Sequence, residues 1–170
     1  YRVAICDQLE DPKLTKKLVK RGVTELVTPG VSYNDKILES RTNNFLAGIH
    51  IANNIAGAAF LDVSTGEFYM AQGSIAYVDK LLQTFKPSEV ILQKNKQTAF
   101  TDIYGERFYI NTFDDWVFTY DFAREILLKQ FGTTSLKGFG VDEMDAGIIA
   151  AAASLHYLAE TQHDKLCLLY

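Results

Sequence analysis

Cysteine is almost absent: the 170 residues contain two, Cys6 and Cys167, one near each end. Neither belongs to a Cys-x-x-Cys pair or to a cysteine–histidine spacing, so they build no disulfide framework and no metal site, and a reduced, cytoplasmic interior is the expected setting. Long apolar runs are missing too. The longest, Ala146 to Ala153, already contains Gly147 and falls well short of the ~18 residues a spanning helix requires, so no membrane role is expected. There is no excess of one charge: 17 Lys and Arg against 21 Asp and Glu leave a formal −4. With 48% hydrophobic and 22% charged residues, the chain is neither disordered, nor collagen-like, nor a polyelectrolyte. There is no GxxxxGK[ST] loop to cradle nucleotide phosphates, no GxSxG and no HExxH. An initiator Met and a signal peptide are lacking as well. The opening run from Tyr1 to Cys6 reads as a strand already under way, as expected of a piece of a longer chain.

What is present suffices for a packed fold. At this length one core buries roughly 68–70% of the surface an unfolded chain exposes. Asp11 before Pro12 marks a helix start, and that helix is expected to run to about Lys20. On it Lys13, Lys16, Lys17 and Lys20 recur at i, i+3, i+4 and i+7 and so share one face. A strand over 23–27 ends at Thr28-Pro29-Gly30, and the polar stretch 31–44 has the weak periodicity of a linker.

From Phe45 the pattern changes. Three strand-like runs, 45–51, 58–63 and 67–71, are separated by Asn53-Asn54 and Ser64-Thr65-Gly66, which predicts an antiparallel meander. Strands and helices then alternate: a helix over 75–85, a buried strand over 89–92, a short helix over 98–104 and a strand over 107–110. A helix over 120–131 follows, ended by Gly132. The expected fold class is α/β, a mixed sheet combining an antiparallel meander with parallel strands, flanked by helices. A last helix starts among the acids from Asp142 to Asp145 and continues to Glu160. It is apolar almost all round and therefore needs partners on more than one side.

Few residues point to chemistry. His50, His156 and His163 are far apart or seven residues apart, and a structural role is the preferred reading. Asp62 lies in the apolar run from Phe60 to Val63, where a nuclease with a ribonuclease-H-like sheet would place a metal-binding carboxylate, with Glu89, Asp114, Asp115 and Asp142 as further acids. None of these sits in a recognisable metal spacing. An acid before Ser64 and Thr65 instead suits a turn cap, the preferred role. The lysine stripe is either a solvated face or a phosphate-binding one, and with an acidic chain and no interleaved aromatics the solvated face is preferred. Trp116 and the nine tyrosines read as packing residues. On the helix over 120–131, Phe122, Ala123, Ile126, Leu127 and Phe131 share one side, and Leu128 projects among Asp121, Arg124 and Glu125 on the other. Such an exposed leucine ringed by charges has the composition of a small partner contact.

The order of short motifs carries more than any one of them. Val3-Ala-Ile-Cys-Asp-Gln8, Glu10-Asp-Pro12, Val19-Lys-Arg21 and Val27-Thr-Pro-Gly30 resemble the end of the mismatch-binding domain in the MutS family of bacterial mismatch-recognition ATPases. Leu61 to Phe68, Gln130 to Thr133 and Gly138-Phe-Gly140 are similar to that family's connector domain, and Ala150 to Gln162 to the helix that opens its core domain. The resemblance implies a ribonuclease-H-like connector fold and four segments: 1–30 from the mismatch-binding domain, 31–44 a linker, 45–144 the connector, and 145–170 leading into the core. It implies no catalytic, cofactor or metal site in this chain. The longer parent would be a homodimeric cytoplasmic ATPase that uses ATP and Mg2+, binds mismatched duplex DNA and docks MutL. The α-helical surface of Asp121, Arg124, Glu125 and Leu128 is then the candidate docking site, and Lys13, Lys16, Lys17 and Lys20 are candidates to lie near DNA phosphates. Two rival expectations are a divergent metal-dependent nuclease using Asp62 and an autonomous DNA-binding module using the lysine stripe.

Overall fold

The computed structural model of the chain describes residues 2–11, 18–31 and 43–161. Strands β1 (Val3–Gln8) and β2 (Arg21–Val27) form a two-stranded antiparallel sheet of their own, with a register shift between Ile5 and Cys6. The remaining strands build a second sheet. Its centre is β3 (Phe45–Ala52), paired antiparallel with β4 (Ile55–Asp62), which pairs antiparallel with β5 (Glu67–Ser74). On the other side of β3 lie β6 (Glu89–Gln93) and β7 (Ile110–Phe113), both parallel, giving the order β5-β4-β3-β6-β7. An antiparallel meander continued by two parallel strands is the ribonuclease-H-like arrangement.

Local chemistry explains the meander. Asn53 holds φ 55°, a left-handed conformation that Asn tolerates, and closes the β3–β4 hairpin, while Gly66 at φ 75° turns β4 into β5. Helix α1 (Ile75–Phe85) starts at Ser74, whose hydroxyl accepts from the Tyr77 amide at 3.2 Å. Helices α1 and α2 (Gln97–Tyr104) supply the parallel crossovers into β6 and β7. Because helices cover both faces, β3, β4 and β6 are apolar nearly throughout instead of alternating. Ala47, Ile49, Phe60, Val90 and Leu92 pack toward Val78, Leu82 and Phe100 on one face. Leu46, Ala59, Leu61 and Ile91 pack on the other against α3 (Tyr120–Gln130) and α4 (Asp145–Thr161). Apolar on every side, α4 is enclosed between the sheet and α3, which meets the need for more than one partner.

Two expectations need correction, and a third falls mostly outside the described residues. The strand expected over 107–110 lies at Ile110–Phe113, because pairing Val90 with Ile110 and Leu92 with Thr112 sets it, while Arg107 stays outside to pair with Asp79 at 3.3 Å. Most of the expected lysine-bearing helix, Pro12 to Lys17, lies outside the described residues, and Leu18 to Lys20 are not helical. Leu128 is not a free-standing leucine: it is half-buried and packs against the α4 side of the core. Residues 32–42 of the expected linker lie outside the described residues, as do His163 and Cys167. Val31, its first residue, is fully buried.

Candidate interdomain joint

Glu89 opens β6 on the face that α4 covers, two positions before Ile91, and is 0% exposed. A buried carboxylate is tolerated only when its lone pairs are matched by donors. Here they come from three separate parts of the chain. Oε2 accepts from the Gly30 amide at 2.9 Å; Oε1 accepts from the Tyr157 hydroxyl of α4 at 2.6 Å and from Asn111 Nδ2 of β7. Asn111 Nδ2 also donates to the Tyr157 oxygen at 3.2 Å, so the network closes on itself. Burial first, and the hydrogen bond to Glu89 second, push the Tyr157 phenol well above the ordinary tyrosine range. The Arg2 guanidinium stands 5.8 Å from the centre of the Tyr157 ring.

Asp62 makes a second junction at the end of β4. Its Oδ1 accepts from the Ser64 amide at 2.9 Å, the Ser64 hydroxyl at 2.6 Å and the Thr65 amide at 3.4 Å; its Oδ2 accepts from the Asn44 amide at 3.0 Å. The carboxylate caps the turn and holds the entry to β3. Among the described residues no group of three or more His, Cys, Asp or Glu is arranged to hold a metal ion. Asp115 accepts from Gln93 and Asn95, and Asp142 is exposed. Asp62→Asn keeps the shape but turns an amide NH2 against donors, and is expected to cost about 1–3 kcal/mol. Urea unfolding of the variant measures this; an unchanged midpoint would remove the capping role.

Helix α4 is seated directly on sheet backbone. A Cβ on Gly57 of β4 would lie 2.0 Å from the Ala146 carbonyl, and one on Gly48 of β3 would lie 2.3 Å from the Ala150 oxygen. Gln72 of β5 caps the same helix end, its Oε1 accepting from the Ala146 and Gly147 amides at 2.8 and 3.2 Å while its Nε2 donates to the Glu143 carbonyl.

The other candidate residues do not converge. Asp121, Arg124 and Glu125 are exposed along α3 beside half-buried Leu128. Lys20 is exposed, whereas Lys13, Lys16 and Lys17 lie outside the described residues. His50 stacks on Phe118, and burial together with Lys96 pushes its imidazole below the usual range. His156 packs among Phe113, Trp116 and Phe122, with Nε2 3.4 Å from Glu160. The sequence places Glu89 at the head of a buried strand and offers its side chain no role but that of a metal carboxylate. The signal for its real place is an acid heading the apolar run Val90-Ile91-Leu92 directly after Pro87 and Ser88.

Two family models divide the chain at this joint. Residues 1–36 match MutS domain I and residues 44–169 match MutS domain II. The chain belongs to the MutS family. The DNA mismatch repair protein MutS of Flavobacterium johnsoniae is 61% identical over 165 residues, and that of Parabacteroides distasonis 60%, each comparison covering 97% of this chain. The chain spans 19% of the length of these curated relatives. In MutS terms Gly30 lies in the domain I match, whereas Glu89, Asn111 and Tyr157 lie in the domain II match. The Glu89 carboxylate therefore receives a hydrogen bond across the boundary between two family domains. No helix among the described residues is long and apolar enough to cross a membrane.

Proposed function

We propose that the chain is the connector module of a MutS-type mismatch-recognition ATPase. The observation that carries this reading is the meeting of the domain I and domain II matches within one chain. The module makes no bonds itself. It passes rigid-body movement between the mismatch-binding segment (1–30), across 31–44, through the connector (45–144) to the segment that leads onward (145–170). The parent, a cytoplasmic homodimer, binds mismatched duplex DNA and hydrolyses ATP with Mg2+ through segments beyond this chain.

The exposed charges of α3 are its MutL-docking surface. Reversing Asp121, Arg124 and Glu125 together in the full-length protein, with Leu128 retained because it supports the core, is expected to weaken MutL binding at least tenfold and to leave mismatch affinity within twofold. Surface plasmon resonance with immobilised MutL reads the first quantity, and equal affinity for variant and parent rejects the surface. Lys13, Lys16, Lys17 and Lys20 lie near DNA phosphates in the parent. Each phosphate contact contributes about 0.9 to the slope of log affinity against log salt. Neutralising all four is expected to flatten that slope by roughly one to three, and an unaltered slope assigns the lysines to solvent.

A further inference from the structure

We infer that Glu89 locks the turn Thr28–Val31 to the connector sheet, so that these residues, matched by sequence to domain I, move with domain II, and the hinge between the two lies before Thr28. Burial along the chain shows where the change occurs. Val23 and Thr24 of β2 are exposed, Leu26 and Val27 half-buried, and Thr28 and Val31 are 2% and 0% exposed. Val31 belongs to the same apolar cluster as Leu46, Ile91 and Leu155. Reciprocal hydrogen bonds between Thr28 and Val31, at 3.3 and 3.2 Å, close the turn.

Two polar anchors then fasten the turn from outside. The Pro29 carbonyl accepts from Asn44 Nδ2 at 2.8 Å, and the Gly30 amide donates to Glu89. Gly30 is needed for close approach, since a Cβ there would stand 2.9 Å from the Glu89 Cβ and 3.2 Å from Leu46. Lifting the turn out would leave a buried carboxylate oxygen without its donor, a state buried polar groups resist. The β1–β2 ribbon is held more loosely: every residue of β1 is exposed, two strands alone are marginal in water, and Arg2 reaches α4 through the face of the Tyr157 ring, with no hydrogen bond into the Glu89 network. The weakest link is therefore the exposed ribbon ahead of Thr28. The lock stands on geometry alone; its mechanical consequence rests on the connector reading.

Amide hydrogen exchange on the 170-residue chain tests the lock. The Gly30 and Val31 amides are expected to exchange within tenfold of the β3 amides and at least a hundredfold more slowly than the hydrogen-bonded amides of β1 and β2. Glu89→Gln should speed Gly30 exchange at least tenfold more than it speeds β3 exchange, and Tyr157→Phe, which leaves the Gly30 bond in place, should speed it less. Gly30 exchanging at the ribbon's rate in the unmodified chain, or equally fast in all three proteins, overturns the inference. In the full-length parent, spin labels at Thr24 and Gln83 report separately on the connector reading. A separation that ATP leaves unchanged rejects the relay while the exchange data still decide the lock.

Discussion

Replacing Gly57 by alanine is expected to lift the first turn of α4 off β4 and to lower the melting temperature of the chain by roughly 6–12 °C. The new methyl would meet the Ala146 carbonyl at 2.0 Å, and the obstacle is backbone, which has no rotamer to escape into. Overpacking costs about 1–3 kcal/mol when side chains yield, so an unyielding backbone puts this variant at about 3 kcal/mol. For a chain of this size each kcal/mol shifts the midpoint by about 2–4 °C. Gly147→Ala supplies the contrast within the same helix. There the nearest atoms are the flexible Met70 Cγ at 3.2 Å and the Ala71 carbonyl oxygen at 3.3 Å, a crowding of a few tenths of an ångström against more than 1 Å at Gly57, and alanine improves helix propensity by as much as ~1 kcal/mol over glycine. Calorimetry of both variants should thus give opposite outcomes: a large drop for Gly57→Ala and little change, or a small rise, for Gly147→Ala. A Gly57→Ala protein melting within 2 °C of the parent chain would show that α4 is not held rigidly on the sheet.

This seating marks the limit of what periodicity alone conveys. The meander, α1, β6, α3 and α4 are legible because an apolar pattern is coupled to a turn, a helix end or an acidic start nearby: Asn53, Ser64 to Gly66, Pro87, Gly132 and Asp142 to Asp145. Strand β7 is displaced because two of its four residues, Asn111 and Thr112, are polar, and the signal for a strand lies in the apolar Phe108 to Ile110 just before it. Leu128 reads as exposed because α3 is treated as having one apolar side. In the fold the cover extends past Leu127 to reach Leu128, which packs against the same cluster. The family order of motifs identifies the chain but not the joint. Glu89, Asn111 and Tyr157 are separated by 22 and 46 residues, and only the topology that lays β7 beside β6 and α4 across both brings them together.

The joint should be strongly non-additive. Glu89→Ala removes the acceptor for the Gly30 amide, the Tyr157 hydroxyl and Asn111 Nδ2 at once, and opens a cavity under α4. With each stranded buried donor costing about 1–3 kcal/mol, a loss of about 3–5 kcal/mol is expected once partial relaxation is allowed. Tyr157→Phe deletes one hydrogen bond to a carboxylate and leaves two donors on Glu89, so about 2 kcal/mol is expected. In the Glu89→Ala background the hydroxyl has already lost its acceptor, and deleting it removes only the 3.2 Å bond its oxygen accepts from Asn111 Nδ2, so it should cost less than in the parent chain. The double variant is therefore expected to be less destabilised than the sum of the singles by at least about 1 kcal/mol, a coupling normal for groups in one network. Guanidinium unfolding of the four proteins closes the cycle. If the two losses add within about 0.3–0.5 kcal/mol, as independent sites do, the carboxylate and the phenol are neighbours without energetic linkage. A measured coupling would instead mean that α4 cannot shift against β6 without disturbing the residue that holds the Thr28–Val31 turn.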